Sequence, residues 1–232
     1  MLRRKTDDSN WISISDMMSA LMVIFMFIAI NYIMQVIEHT FVQDEIYNKL
    51  QAVFDDEIKR HEIELGPDGT IRFNSLTSDN LFETNDDKLT PAFKKILAHF
   101  IPKYWEVLTS DTTYFDYIKE IRIEGHADTK PPINGGDSYL YNLDLSSKRA
   151  ASVLKYLREQ PVLYKKASDK DKSRMDFLFT SIGFSYSRAL NDEKNYVHLD
   201  SNKIVNDALS RRVEFRIVTS NEKLINLSCQ LC

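Results

Sequence analysis

Cysteine is nearly missing from this chain: two in 232 residues, at Cys229 and Cys232. Two thiolates cannot complete a structural zinc shell, and no helix follows them to make a thioredoxin-like redox motif. They are left as a short-loop disulfide in an oxidising compartment, within or between chains, or as a tail without a role. A basic surplus is missing as well. The 30 Lys and Arg face 34 Asp and Glu, a net charge of −4, which argues against a nucleic-acid partner, whose phosphates need a cationic surface. No nucleophile motif, phosphate-cradling glycine loop, internal repeat or low-complexity stretch occurs. His126 and Asp128, two apart at a strand end, are no metal site without further ligands. These absences leave a non-enzymatic chain with no catalytic residues, no bound metal and no cofactor.

What the chain does have is one long apolar run. Residues 11–37 read WISISDMMSALMVIFMFIAINYIMQVI, and from Met17 to Ile37 there is no formal charge. At ~1.5 Å per residue that helix is about 31 Å long, matching a hydrocarbon core of about 30 Å. Asp16 stands at the head of the run, less than a turn from Ser13 and Ser19. A carboxylate at membrane depth costs at least ~2.5–3.5 kcal/mol, so an intramembrane acid is read as a site for moving ions. The other reading is an interfacial cap with its carboxylate in headgroup water. Trp11, Ile12 and Ile14 oppose it, because they continue the apolar character past Asp16.

Arg3, Arg4 and Lys5 precede the run, whereas acids outnumber Lys and Arg over residues 38–64. The positive-inside rule then predicts a cytoplasmic tail over residues 1–10, a span over 11–37 and everything beyond in the periplasm. The run is too long for a signal peptide and lacks a small-x-small exit, so an uncleaved anchor in the bacterial inner membrane is expected. Asn31 and Gln35, one turn apart, mark a face that needs another helix, and Met17, Met18, Met22, Met26 and Met34 supply adaptable packing surface. A single helix cannot conduct ions alone, so conduction requires helices from a partner.

Beyond the span, Phe41, Val42, Ile46, Leu50, Val53, Phe54 and Ile58 recur at helical spacing. They predict an amphipathic linker or dimerisation helix over 38–60, with a pore plug as the less favoured role. Gly66-Pro67-Asp68-Gly69 predicts a hairpin between His61–Leu65 and Thr70–Phe73. Thr90-Pro91 opens a helix to about Phe100, with Thr90 as its cap. Residues 109–117 read as a loop and Ile118–Glu124 as a strand. A helix is expected from Ser146 or Ser147, with a stripe of Ala150, Val153, Leu154 and Leu157. Met175–Ser181 and Val213–Val218 read as further strands. The alternation predicts an α/β (α+β sandwich) domain over 61–220, followed by a tail over 221–232.

Three ordered motifs carry a resemblance. Gly125-His126-Ala127-Asp128, then Tyr141-Asn142-Leu143-Asp144-Leu145-Ser146 through Arg149-Ala150, then Arg211-Arg212-Val213-Glu214, resemble the OmpA-like peptidoglycan-binding domain. In that family an Asp and an Arg grip the ammonium and carboxylate of diaminopimelate in the stem peptide. The resemblance assigns these roles to Asp128 and Arg149, with Tyr141, Asn142 and Leu145 around the pocket and Arg212 supporting the pocket or the sheet. The residue types suit a zwitterion, since a carboxylate faces its ammonium and a guanidinium can fork onto its carboxylate. The competing reading is an internal ion pair between Asp128 and Arg149. Residues 130–138 form a longer insert than the family's usual loop.

A basic start, one span with an acid near its inner end (Trp11, Asp16, then Ala20-Leu21-Met22) and an OmpA-like domain together resemble the MotB family of stator subunits. The resemblance implies a homodimer inside a ring of a multi-span MotA-like (ZorA-like) membrane protein, with Asp16 carrying the transported H+ or Na+. The short tail and short connector resemble ZorB, the MotB-like subunit of the Zorya anti-phage defence system, more than flagellar members. A flagellar-type stator and a passive membrane-to-wall tether are the alternatives.

Overall fold

The structure, a computed structural model, describes residues 7–74, 81–83, 85–111, 115–132, 135–199 and 204–219, and the side chains of residues 7–10, 12, 13, 35, 38–40 and 162 are not among these. It divides into two units, residues 1–42 and 43–232.

The first unit is the N-terminal part of helix α1 (Asp7–Lys59). Within it Ile14–Met34 has a mean hydropathy of 2.2 and is long and apolar enough to cross a membrane. Ser19 Oγ donates to the Ser15 carbonyl at 2.9 Å and Asn31 Nδ2 to the Phe27 carbonyl at 2.8 Å. Each polar side chain thus satisfies itself on the preceding turn, the local option for such a group in apolar surroundings. Gln35, expected to share a face with Asn31, has its side chain outside the described residues, and so do Cys229 and Cys232.

In the second unit the remainder of α1 is amphipathic and buries Ile46, Leu50 and Phe54. The Phe54 ring sits 5.2 Å from that of Phe100, and a Cβ placed on Gly69 would lie 3.9 Å from both Ile46 and Leu50. Lys49 pairs with Asp111 at 3.3 Å and Glu57 with Lys103 at 2.8 Å. Of the stripe read from the sequence as a linker or dimerisation face, Ile46, Leu50 and Phe54 are buried in the domain, whereas Phe41 and Val53 remain exposed.

A hairpin follows, β1 (Glu64–Leu65) and β2 (Ile71–Asn74). Gly69 takes φ +73°, which glycine adopts without steric cost, and Asp68 Oδ1 accepts from the Thr70 amide at 3.2 Å. Helix α2 (Pro91–Thr109) starts as expected, Thr90 Oγ1 accepting from the Phe93 amide at 3.2 Å. It runs a further two turns past Phe100, through Pro102, because Ile101, Tyr104, Trp105 and Leu108 extend its buried face. Strand β3 (Ile118–Gly125) leads to helix α3 (Ser138–Glu159). That helix begins at the Asp137 cap, well before the expected serines; Ser146 and Ser147 instead donate to the Leu143 carbonyl at 3.1 and 2.7 Å. Met175–Ser181, read as one strand, is divided between helix α4 (Asp169–Leu178), capped by Ser168, and strand β4 (Phe179–Gly183). A short helix α5 (Asp207–Ser210) precedes strand β5 (Arg212–Thr219).

The strands form one sheet in the order β1-β2-β5-β3-β4, antiparallel except for the parallel pair β3/β4. Helix α3 makes the crossover between those two strands and lies directly on them. A Cβ on Gly125 would meet the Ser146 carbonyl oxygen at 2.1 Å, and one on Gly183 the Ser147 amide nitrogen at 2.4 Å. The core is aromatic: Phe73, Phe93, Phe100, Tyr104 and Phe215 pack with ring centroids 5.0 to 5.9 Å apart. The architecture is thus one apolar N-terminal helix and an α/β domain of mixed sheet and helices.

Candidate functional site

The parallel pair sets up the site. β3 ends at Gly125, and the chain beyond it is pinned to its neighbours: the His126 amide donates to the Arg212 carbonyl at 3.0 Å and the Ala127 amide to Ser185 at 2.9 Å. Asp128 follows at this strand end and is 8% exposed. Across from it α3 supplies Asn142, Leu145 and Arg149, whose spacing of three and four residues puts them on one face. Two adjoining concavities, about 270 and 80 Å³ in volume, share Asn85, Asp128, Lys130, Arg149 and Arg211 in their walls. Tyr141, Asn142 and Leu145 line the smaller, His126 and Arg212 the larger.

Arg149 is held at its base and on one face. Its Nε donates to the Asp86 carbonyl at 3.1 Å, and its guanidinium carbon lies 5.0 Å from the centroid of the Phe82 ring. Among the described residues no hydrogen bond engages its two terminal nitrogens, the pair that forks onto a carboxylate. Burial lowers its pKa, and the nearby Asp128 works against that. The internal pair weighed for Asp128 and Arg149 does not form. Asp128 Oδ2 instead accepts from Arg211 Nη1 at 2.6 Å, and Oδ1 from the Lys130 amide at 3.2 Å. Asn142 donates to the carbonyls of Lys130 and Ser138 at 2.9 and 3.0 Å, tying the 130 loop to α3. Its role here is to shape the wall. Tyr141 is partly exposed at the rim.

Arg212 is turned to internal use. It is 2% exposed, donates from Nε to Glu214 at 2.6 Å and from Nη1 to the Arg188 carbonyl at 3.1 Å. Arg211, its neighbour in the same motif, is the one that reaches Asp128. Arg211 carries no role in the sequence reading because it sits at the bend between α5 and β5, where neither helical nor strand period says which way a side chain points. Phe82, Asn85 and Lys130 were also missed; they sit on irregular segments that carry no periodicity.

Behind the pocket lies a buried ion network. Glu124, His126 and Glu214 each bring a ligand atom within 4.8 Å of the others, an arrangement that could hold a metal ion. The carboxylates are already committed to arginines. Glu124 takes Arg188 at 3.0 Å and Arg216 at 3.2 Å, and Glu214 takes Arg212 at 2.6 Å with Arg72 and Arg216 at 3.1 Å. A dication would enter a field of guanidiniums, so the donor set suits a charge network rather than a metal. His126 stacks on Phe184 with centroids 5.4 Å apart, and its Nε2 is 3.6 and 3.9 Å from the two carboxylates, too far to bond. Burial, assisted by Arg212, pushes its pKa down to about 4, so it is neutral. Burial would raise the Glu214 carboxyl, but Arg212, His126 and Arg72 hold it down at about 2.

One apolar N-terminal helix and an α/β domain with this strand-end pocket define a chain of the OmpA-like class. Residues 81–170 match the OmpA family. The chain is 30% identical over 234 residues to the Zorya protein ZorB of Escherichia coli strain Crooks, covering 95% of this chain and 92% of that protein. A second Zorya protein ZorB, from Escherichia coli O139:H28, is 25% identical over 229 residues, covering 93% and 83%. The chain belongs to the ZorB family. Among solved structures, the periplasmic domain of Helicobacter pylori MotB aligns with a TM-score of 0.44 at 15% identity, over 70% of this chain and 83% of that one.

Proposed function

We propose that this chain is the peptidoglycan-anchored subunit of an ion-driven inner-membrane motor of MotA/MotB type that serves anti-phage defence. The N-terminus is cytoplasmic, residues 11–37 span the membrane and the domain from about residue 61 is periplasmic. Two copies sit within a ring of a multi-span MotA-like partner. The observation that carries the wall-binding half is Arg149, held at its base with its fork unspent, beside Asp128 in a pocket of about 270 Å³. Arg149 takes the carboxylate of diaminopimelate and Asp128 lies where its ammonium arrives, with Tyr141, Asn142 and Leu145 shaping the wall. Arg212 supports the floor. The membrane half rests on Asp16, the acid at the head of an otherwise uncharged apolar run. A carboxyl there takes H+ or Na+ from one side and passes it on as the partner helices change its surroundings. Each elementary charge crossing ~100 mV supplies about 2.3 kcal/mol. With the chain tied to the wall, that work moves the ring.

Two variants of the full-length chain in its membrane complex test this. Arg149→Ala should fold and insert but lose sedimentation with purified peptidoglycan by more than about tenfold, the cost of removing a charged partner in a desolvated site. Wild-type sedimentation would remove Arg149 from the site. Asp16→Asn is near-isosteric and cannot ionise, so it should insert, assemble with the partner and bind the wall, yet give no protection against phage. An assembled and fully protective Asp16→Asn complex would leave only the passive tether.

A further inference from the structure

We propose that the domain holds a second carboxylate-binding cavity, built on Arg72, through which it grips a further stem of the same wall polymer. This rests on the wall-binding reading above and deepens it. The cavity, of about 640 Å³, is lined by Arg72 of β2, Glu214 of β5 and the turn from Leu190 to Tyr196. Small-molecule sites run from ~300 to ~1,000 Å³. Arg212 lines the 270 Å³ concavity and its partner Glu214 lines this one, so a single buried ion pair borders both. The turn is fixed before any ligand arrives. Asn191 Oδ1 accepts from the Asn195 amide at 2.9 Å, and Leu190 and Tyr196 form an antiparallel bridge.

Arg72 stands in this cavity much as Arg149 stands in the first. Its Nε donates to Glu214 Oε1 at 3.1 Å, and its two terminal nitrogens have no hydrogen bond among the described residues. The Arg72 side chain is 24% exposed and that of Glu214 1%, so the guanidinium is anchored at the floor and open toward water. Charge favours an anion there. Among the described residues Glu214 is the one carboxylate within 4.0 Å of Arg72, and also the one within 4.0 Å of Arg212. One negative charge thus faces two guanidiniums. Arg216, a third cation on Glu214, has Asp68 and Glu124 besides. A ligand carboxylate on the Arg72 fork therefore makes a charge-assisted pair without displacing a partner. Asp192 and Glu193 also line the cavity, but both are exposed, where charges act weakly. Peptidoglycan carries carboxylates on every stem. A polymer held at Arg149 brings others to the domain at high effective concentration, so even a weak second contact adds to the grip.

The test is sedimentation of detergent-solubilised full-length chain with purified peptidoglycan sacculi, beside calorimetric titration with the synthetic tetrapeptide L-Ala-γ-D-Glu-meso-diaminopimelyl-D-Ala. Sacculi can engage both cavities, whereas the tetrapeptide, a single stem, reports the Arg149 pocket. Arg72→Gln should weaken sacculus binding by about tenfold, as loss of the second of two linked contacts does, and change tetrapeptide affinity by less than about twofold. Because Arg72 also holds Glu214, a second pair of variants leaves that contact in place. Asn195 is exposed in the wall of the same cavity. Asn195→Asp should weaken sacculus binding by about threefold and Asn195→Lys should strengthen it. Unchanged sacculus binding in Arg72→Gln, or Asn195 variants that fail to shift it in opposite directions, would overturn the inference and leave the wall-binding reading intact. Equal losses with sacculi and tetrapeptide in Arg72→Gln would overturn it as well, since Arg72 would then act through Glu214 and Arg212 on the first pocket. A wild-type chain that binds neither sacculi nor tetrapeptide would overturn the wall-binding reading and this inference with it.

Discussion

At the scale of single residues, the domain places polar groups in apolar surroundings with and without compensation. Tyr104 is fully buried in the aromatic core, stacked on Phe100 with centroids 5.0 Å apart, and its hydroxyl has no hydrogen-bond partner among the described residues. Burying an unpaired hydroxyl costs roughly 1–3 kcal/mol. Tyr104→Phe should therefore raise stability by up to about 1 kcal/mol once repacking is allowed for. A thermal melt of the full-length chain in detergent reads this directly, and a lowered midpoint would mean that the hydroxyl has a partner. Arg149 shows the opposite case. Its Nε is bonded to the Asp86 carbonyl and its guanidinium lies over the Phe82 ring, while its two terminal nitrogens have no hydrogen bond among the described residues.

At the scale of elements, the site depends on how closely α3 lies on β3 and β4. Gly125 is the contact point, in the same G-H-A-D run that ends in Asp128. The Ser146 carbonyl would be 2.1 Å from a Cβ there, and it belongs to backbone that cannot step aside alone. Gly125→Ala should cost at least about 2–3 kcal/mol by forcing helix and strand apart. Because Arg149 rides on the same helix, peptidoglycan sedimentation should fall in parallel with the melting midpoint. An unchanged midpoint would show that α3 shifts without cost. The sequence motif contained this glycine, but only the crossover geometry explains why nothing larger fits.

At the scale of the whole domain, the buried network joins β2, β3 and β5 through charges. His126 has its pKa lowered from 6.5 to about 4 in the folded chain, so the unfolded chain binds more protons between those values. Stability from this group is complete above about pH 6.5 and is lost as pH falls toward 4, on the order of 3 kcal/mol. Glu214, lowered from 4.5 to about 2, extends the loss below pH 4.5. The melting midpoint should therefore fall steadily from pH 7 to pH 4, and His126→Phe should flatten that slope whatever it does to the midpoint at pH 7. A midpoint constant across this range in the wild-type chain would mean that His126 is not buried in its neutral form.

Much of this protein was decided by local pattern. The uncharged run after Asp16, the Gly66–Gly69 turn, the Thr90 cap and the first and last strands of the β3–β5 pair were all legible, because they depend on hydropathy, period and backbone chemistry within a few residues. Asp128 and Arg149 were singled out by ordered motifs, and the fold puts both in the wall of one pocket. The tertiary structure decided what local pattern leaves open. It started α3 at Asp137 rather than at Ser146, since serine hydroxyls bond their own helix as readily as they cap one. It put Ile46, Leu50 and Phe54 inside the domain, where the periodicity showed only that they needed a partner. And it gave Asp128 to Arg211, with Arg212 turned inward to Glu214. Arg211 lies at the bend before β5 and Arg212 is its first residue, and which of the two meets the pocket is set by strands and helices far apart in the chain.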